Sequence, residues 1–260
     1  MANLSIAQRR LNEAMQPAFY SVTFGAGGST RDRTLETVDH LRSADAIHVA
    51  PHISCIGSSR QQLRELLAQY IERGIDRLVT LRGDIPEGGA VDNDFHHANE
   101  LVGFIREETG EHFHIEVAAY PEYHPESESP QSDFDNFARK INAGADSAIT
   151  QYFYNIDAYS RFMDKCESAG LNIAVVPGIM PITNYTSLAR FSDRCGAEIP
   201  RWVRKQLEAW DDDTDSLREF GADVVTDLCA RLLHNGAPGL HFYTLNQADA
   251  TLDIWRRLNP

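Results

Sequence analysis

The chain has 260 residues and a formal net charge of −14, because 38 Asp and Glu outnumber 24 Lys and Arg. This sign opposes binding to nucleic acid or to an anionic membrane, and no apolar run reaches the roughly 18 residues that a membrane span needs. A hydrophobic fraction of 42% is ordinary for a globular protein. The four cysteines are scattered without a CxxC pair, which favours a reduced, cytoplasmic setting.

Strand-like runs rich in β-branched and aromatic residues alternate with helical patterns along the whole chain. The chain opens on a helical pattern over Asn3–Ala14. The predicted strands are Ala18–Phe24, Ile47–Cys55, Arg77–Arg82, Phe113–Tyr120, Ala148–Tyr154, Asn172–Val176 and Gly239–Asn246. The predicted helices after them lie near 31–43, 59–74, 96–109, 132–143, 156–168, 184–194, 215–234 and 248–257, with a further helix over Pro200–Trp210.

Such alternation predicts an α/β fold with right-handed βαβ units and a parallel sheet. Seven strand–helix units fit a barrel of eight strands with one strand missing. The opening helix would then belong to a unit whose strand comes before Met1. We therefore predict a (β/α)8 TIM barrel lacking its first strand, as a single domain over residues 1–260. A doubly wound open sheet is the alternative, since the number of strands does not separate the two folds.

Polar and turn-forming residues collect where the predicted strands end. In a parallel α/β fold the carboxyl ends of the strands meet at one rim, where ligands bind. The ends carry Thr23–Gly25, His52, Arg82–Gly83–Asp84, Tyr120 through Glu126, Gln151, Pro177–Gly178 and Asn246. The strand starts are plainer, so the sequence indicates a site along one rim.

Several of these residues also have a purely structural interpretation. The run Gly25–Gly28 lacks the third glycine of a GxGxxG fingerprint, which is typical of a flexible turn. A histidine inside an apolar strand, such as His52, is more often a core residue than a ligand-binding one. Arg82 and Asp84, with one glycine between them, form either part of a site or a structural ion pair.

The loop Tyr120–Glu126 is stiffened by two prolines and displays aromatic, imidazole and acidic groups, which favours a functional role. On the next predicted helix, polar residues recur at spacings of three and four and share much of one face. They are Asp133, Asn136, Arg139 and Lys140. This face is either solvated or meets a phosphate through Arg139 and Lys140.

Two further motifs indicate structure rather than chemistry. His112 and His114 form an HxH pair at the start of a predicted strand, on the rim opposite the expected site, so we expect no metal there. The acidic run Asp211–Asp215 precedes a helix, where carboxylates cap the first turn and favour the helix dipole.

Eight segments in a fixed order resemble the methylenetetrahydrofolate reductase family of the bacterial type. They read SVTFGAGGSTRDRT, APHISC, LRGD, AAYPEYHPE, the DxxNxxRK pattern that begins at Asp133, ITQYFY, VPGIMP and HFYTLN. Each motif is weak alone, but their order from about residue 2 to the end of the chain is specific.

The resemblance implies a flavoenzyme built on a TIM barrel. FAD would take a hydride from NADH or NADPH and pass it to the small-molecule substrate 5,10-methylenetetrahydrofolate, giving 5-methyltetrahydrofolate for methionine synthesis. Asp84 would act catalytically beside the isoalloxazine, where a negative charge disfavours the anionic reduced flavin and tunes its potential. Family members often associate, so we also expect a homo-oligomer.

The resemblance also assigns binding residues. The family's cofactor contacts fall on Thr23, Phe24, Ala26, His52, Arg82, Gly83, Asp84, Ala98, Tyr120, His124, Asp133, Asn136, Arg139 and Lys140. Among the substrate contacts, Gln151 would hydrogen-bond the pterin, and Phe191 would stack on whichever substrate occupies the site in a ping-pong reaction.

The chain departs from the family pattern in two places. Nothing matches the family's opening Phe-rich strand, whose glutamate protonates the folate, and a general acid contributes about 10²–10⁴ in rate. Gln247 stands where some members carry a substrate-binding arginine. The alternative function is therefore an FAD- or folate-binding remnant without folate turnover. A cofactor-free, aldolase-like barrel is a third interpretation, but it would need a Schiff-base lysine, and no predicted strand ends in lysine.

Overall fold

The computed structural model describes residues 2–23, 31–44, 47–84, 94–210 and 212–259. The helices are α1 (Ala2–Met15), α2 (Arg31–Ala44), α3 (Arg60–Glu72), α4 (Ala98–Thr109), α5 (Pro130–Asn142), α6 (Ile156–Ser168), α7 (Tyr185–Cys195), α8 (Arg201–Ala209), α9 (Thr214–His234) and α10 (Asp249–Leu258). The strands are β1 (Phe19–Val22), β2 (His48–Ser54), β3 (Arg77–Leu81), β4 (His114–Ala119), β5 (Ser147–Thr150), β6 (Ala174–Val176), β7 (Gly178–Ile179) and β8 (His241–Phe242).

Every predicted helix is confirmed within a few residues, and side-chain caps mark the starts of several of them. Asn155 and Asn184 cap α6 and α7 through their side-chain oxygens. Asp213 caps α9 by accepting the backbone N–H of Ser216 at 3.1 Å. Within the acidic run before α9, Asp213 therefore has the capping role that the sequence predicts, and Asp211 lies outside the described residues.

Strands β1 to β6 form one sheet whose spatial order is the chain order. The pairs with a described register are parallel, with Phe19 opposite His48 and His52 opposite Val79. A doubly wound sheet reverses its strand order at a switch point, whereas an unbroken chain order is typical of a (β/α)8 barrel. The predicted barrel-type α/β fold is confirmed, and the doubly wound alternative is wrong.

The predicted strand Asn172–Val176 is shorter than expected and is followed by a second strand, β7, that the sequence did not predict. Pro177 lies between them and has no N–H to donate to a strand ladder. Its carbonyl accepts the N–H of His241 at 2.9 Å, and the N–H of Gly178 donates to Thr150 Oγ1 at 2.8 Å. A Cβ at Gly178 would lie 2.1 Å from the Thr150 carbonyl, so only glycine fits there.

One compact unit comprises Pro17–Ala118 and Asp135–Ala148. Its core includes Leu63, Leu67 and Tyr70 of α3, all fully buried. On β4, Glu116 is buried and forms an ion pair with Arg77 of β3. Burial raises the pKa of Glu116, and Arg77 only partly offsets that effect.

A second compact unit comprises Met1–Gln16, Ala119–Phe134 and Ile149–Pro260. In it, Arg257 of α10 forms ion pairs with Glu219 at 2.8 Å and Asp223 at 2.6 Å, both on α9. Trp255 Nε1 donates to the Ala14 carbonyl at 3.1 Å, which joins α10 to α1. Over the described ranges, no helix has the length and apolar character needed to cross a membrane.

Candidate active site

The carboxyl ends of β2 and β3 lie side by side in the first unit. The N–H of Ile56 donates to the Arg82 carbonyl at 3.0 Å, which prolongs the β2–β3 pairing beyond both strands. Cys55 also donates its thiol to the Arg82 carbonyl at 3.2 Å. The predicted residues Arg82 and Asp84 therefore follow a firmly paired strand end, with Arg82 half-buried and Asp84 exposed.

Gly83 has a backbone that a side chain would strain. Its φ is +91°, and a Cβ added there would lie 2.8 Å from Ser54 Oγ. The Nε of Arg82 donates to the Gly83 carbonyl at 3.2 Å and holds the guanidinium against the turn. The close approach of this turn to Ser54 explains why glycine stands between Arg82 and Asp84.

The other predicted residues of this unit have mixed environments. His52 on β2 and Ala98 at the start of α4 are half-buried, and Thr23 after β1 is exposed. Phe24 and Ala26 lie outside the described residues. The ring of His52 is partly accessible, so it is not sealed in the core as its apolar neighbours on the strand are.

On α5 the predicted polar set divides by environment. Arg139 Nη1 donates to Asn136 Oδ1 at 2.6 Å, and both residues are exposed. Lys140 instead donates to the carbonyl of Ala118, near the end of β4. Lysine has three donors and arginine five, and charged N–H donors of this kind bind phosphates in proteins.

In the second unit, the loop after β4 folds into consecutive turns. The N–H of Tyr123 donates to the Tyr120 carbonyl at 3.3 Å, and the rings of Tyr120 and His124 meet edge to face at 4.7 Å. Asp133, on the first turn of α5, accepts the hydroxyl of Ser127 at 2.9 Å. The structure therefore brings Tyr120 and His124 together, while Asp133 is held by the end of the loop.

Gln151 follows β5 and lines a small cavity together with Tyr120 and Tyr152. Its side-chain carbonyl accepts the N–H of Tyr152 at 3.0 Å. The NH₂ group of the same amide carries two N–H donors that suit an acceptor atom of a ligand.

Glu122 lines the same cavity and was not singled out by the sequence. Its Oε2 accepts the N–H of Glu198 at 2.9 Å, and its Oε1 is buried without a hydrogen-bond partner among the described residues. Burial raises the pKa of this carboxyl to about 7, although the Glu198 N–H and Arg161 favour the charged form. Only the acid's position between the two prolines of a rigid loop could have drawn attention to it.

Phe191, the second predicted substrate contact, lies on α7 with 46% of its surface exposed. The next residue, Ser192, is buried and shares a hydrogen bond of 3.0 Å with the hydroxyl of Tyr152. Phe191 therefore lies on the exposed side of α7. The buried side of α7 is hydrogen-bonded through Ser192 to Tyr152, the residue after Gln151.

The two histidines of the HxH pair contact protein groups. His112 Nε2 lies 3.0 Å from the carbonyl of Ile75, and His114 Nε2 lies 2.8 Å from Ser147 Oγ. Burial lowers the pKa of His114. Among the residues that the structure describes, no three His, Cys, Asp or Glu side chains are grouped to hold a metal ion.

The strand order places the chain in the class of parallel α/β barrel proteins, in which polar groups at carboxyl strand ends are candidate ligand contacts. A family model described as methylenetetrahydrofolate reductase matches residues 1–259. The chain therefore belongs to the methylenetetrahydrofolate reductase family and is an oxidoreductase of folate-dependent one-carbon metabolism.

Curated relatives from bacteria and plants agree with this assignment. A 5,10-methylenetetrahydrofolate reductase from Pectobacterium carotovorum is 40% identical over 246 residues, covering 94% of this chain and 81% of the relative. The enzyme of that name from Escherichia coli is 38% identical over 245 residues, with the same coverage of both chains. Methylenetetrahydrofolate reductase (NADH) 1 from Arabidopsis thaliana is 35% identical, covering 93% of this chain and 43% of the relative.

A solved structure shares the fold. It is an uncharacterised protein from Clostridium thermocellum that binds two copies of 5-methyl-5,6,7,8-tetrahydrofolic acid. The TM-score is 0.65 at 16% sequence identity, and the alignment covers 97% of this chain and 86% of that one. At this identity the likeness supports the fold alone.

Proposed function

We propose that this chain transfers a hydride from NADH or NADPH, through FAD, to 5,10-methylenetetrahydrofolate and releases 5-methyltetrahydrofolate. The observation that carries the proposal is the family match along residues 1–259. The bacterial relatives that bear the enzyme's name cover 94% of the chain at 38–40% identity.

The side chains present suit FAD. In the unit that holds β2 and β3, Arg82, Arg139 and Lys140 supply cationic donors of the kind that bind a pyrophosphate. In the other unit, Tyr120 offers an aromatic ring and His124 an imidazole, groups suited to a ribose or an adenine. When bound, FAD would supply the hydride carrier, and the protein supplies orientation and electrostatics.

Asp84 is the residue we assign to flavin tuning. It is exposed just beyond the turn at Gly83, so its carboxylate is accessible to a ligand at this strand end. A fixed negative charge beside the flavin ring disfavours further negative charge on that ring. We propose that this makes the bound cofactor a stronger hydride donor to the folate.

Gln151 and Phe191 are the residues we assign to the substrates. Gln151 would donate from its NH₂ group to an acceptor on the pterin ring, while its carbonyl accepts the N–H of Tyr152. Phe191 would cover the ring of either substrate in turn. Use of one pocket by two substrates fits a ping-pong reaction.

A three-stage experiment on the purified chain tests the proposal. We expect flavin absorbance, then bleaching when NADH or NADPH is added anaerobically, then return of the absorbance on adding methylenetetrahydrofolate. Running the second stage with each nucleotide identifies the donor. Bleaching without reoxidation by the folate would favour the remnant without turnover, and a chain that cannot be loaded with FAD would refute both functions.

Two further features of the proposal concern setting and assembly. The cysteines Cys55, Cys166, Cys195 and Cys229 are unpaired, which suits a reducing compartment such as the cytoplasm. Association into a homo-oligomer stays a prediction, and sedimentation of the purified chain would measure it.

A further inference from the structure

Helix α7 is held to its unit by little apolar contact. Of its 11 residues only Leu188 and Ser192 are buried. Local caps define its ends, with Asn184 accepting the N–H of Ser187 at 2.8 Å and Gly196 in the left-handed conformation. A helix with so small a buried face depends on its polar contacts for its position.

The first of these contacts comes from β5. The hydroxyl of Tyr152 and Ser192 Oγ are 3.0 Å apart, and both residues are buried. Tyr152 immediately follows Gln151, and Ser192 immediately follows Phe191. One buried hydrogen bond therefore joins the neighbours of the two side chains proposed to contact substrate.

The second contact comes from the loop after β4. Glu122 accepts the N–H of Glu198, three residues beyond the end of α7. Gly196 also lies close to this loop, where an added Cβ would stand 3.1 Å from Pro125. The segment that ends α7 is thus anchored to the loop that carries Tyr120.

We propose that Tyr152 and Glu122 are positioning residues that fasten α7 to the ends of β5 and β4, and so hold Phe191 in the place where it covers substrate. This inference rests on the proposed function for its effect on the folate. The fastening itself concerns only contacts within one unit. Neither side chain is assigned a contact with the reacting atoms. Their loss would act on substrate binding, because loosening α7 lowers the fraction of molecules in which Phe191 is in place to cover the substrate.

Glu122 makes the fastening sensitive to pH. The charged and titratable groups that face it are Glu198, Arg161 on α6, and Tyr152, which itself lies close to Cys195. Burial raises the pKa of the seated carboxyl to about 7, whereas a solvated glutamate has a pKa of about 4.3. The Glu122 carboxyl therefore binds its proton more tightly when it is buried against Glu198 than when it is released to solvent. Raising the pH from about 4.3 to about 7 favours the released form and loosens α7. No further change follows above about pH 7.

The test uses Tyr152→Phe, Glu122→Gln and Glu122→Ala in the full chain loaded with FAD. We expect Y152F and E122A to raise the KM for methylenetetrahydrofolate roughly two- to tenfold, with a smaller change in kcat, because saturating substrate draws α7 back into place. E122Q keeps an acceptor oxygen without a charge. We expect the folate KM of the parent chain to rise between about pH 5 and pH 7, and E122Q should remove that rise.

Matched controls come from the same unit. Tyr159→Phe removes a phenol hydrogen bond of 2.8 Å to the Val175 carbonyl, away from α7. Glu128→Gln removes an exposed charge from the segment between the loop that holds Glu122 and α5. Neither control should alter the folate KM. Hydrogen exchange of the α7 amides supplies a second measurement, and it should quicken in Y152F and E122A but not in Y159F.

The outcomes separate this inference from the proposed function. If the parent chain does not reduce the folate, the proposed function is refuted. Hydrogen exchange of the α7 amides then tests by itself whether Tyr152 and Glu122 fasten α7. Unchanged α7 exchange in both Y152F and E122A overturns the inference. In an active enzyme, equal folate KM values in Y152F, Y159F and the parent chain overturn it as well.

Discussion

Replacing Gly83 by alanine should destabilise the chain at the strand end that carries Arg82 and Asp84. The glycine has a φ of +91°, outside the range that residues with a Cβ readily adopt. The new methyl group would also stand 2.8 Å from Ser54 Oγ and 3.1 Å from Ser54 Cβ. Ser54 is buried, so it has little room to move away.

Two costs add in this variant. A left-handed backbone costs a residue with a side chain roughly 1–2 kcal/mol. Overpacking against a buried neighbour costs about 1–3 kcal/mol more. The expected loss is therefore about 2–5 kcal/mol, a large part of the roughly 5–15 kcal/mol that stabilises a typical domain.

The assay is urea unfolding monitored by circular dichroism, with Gly103→Ala as the matched control. Gly103 lies inside α4, and a Cβ there would contact nothing within 4 Å. This change should stabilise the chain by roughly 0.5–1 kcal/mol, since alanine favours a helix over glycine. The two variants add the same methyl group and should shift the midpoint in opposite directions.

A double-mutant cycle separates the two costs. Ser54→Gly removes the atoms that the new methyl group would meet, so Gly83→Ala should cost about 1–3 kcal/mol less in that background. An unchanged cost would mean that the backbone conformation alone is responsible. Stability of G83A within about 0.5 kcal/mol of the parent chain would refute the reasoning altogether.

Three further changes test other parts of the account. Asp84→Asn should raise the potential of the bound flavin and slow its reoxidation by the folate while sparing reduction by NADH, and stopped-flow measurement of each half-reaction would check this. Burial lowers the pKa of His241 to about 4, so the unfolded chain binds more protons than the folded chain between pH 6.5 and 4. Stability should therefore decrease as the pH falls through this range, and His241→Gln should flatten that decrease in urea midpoints. Ser59 caps α3 in a reciprocal pair with Gln62, so Ser59→Ala should cost about 1 kcal/mol in the same assay, and an unchanged midpoint would contradict the capping role.

Helices and their order were predictable because their signals are local. Caps such as Ser59 and Asn184 stand beside the apolar repeats that they start, and no distant contact is needed to read them. The strand ends were less predictable. The strand-like run from Ala148 continues through Tyr154, yet β5 ends at Thr150, because pairing with neighbouring strands, rather than composition, decides where a ladder stops.

The candidate site divides in the same way. Several of its predicted polar residues, such as Arg82, Asp84 and Gln151, were selected because they follow strands, and the rule that ligands bind at carboxyl strand ends needs only strand order. The directions in which these side chains point could not be predicted from the sequence. Lys140 and Arg139 are adjacent in sequence, but one donates to the end of β4 and the other to its own helix.

The sequence by itself determined the alternation of strands and helices, because that pattern depends on residues close together in the chain. It also determined the family, because eight short motifs stand in a fixed order. Only the tertiary structure decided that Glu122 is buried against Glu198 and that Tyr152 holds α7. The two hydrogen bonds concerned join residues that are 40 and 76 positions apart in the chain. No local pattern specifies such partners, since they depend on how the whole chain packs.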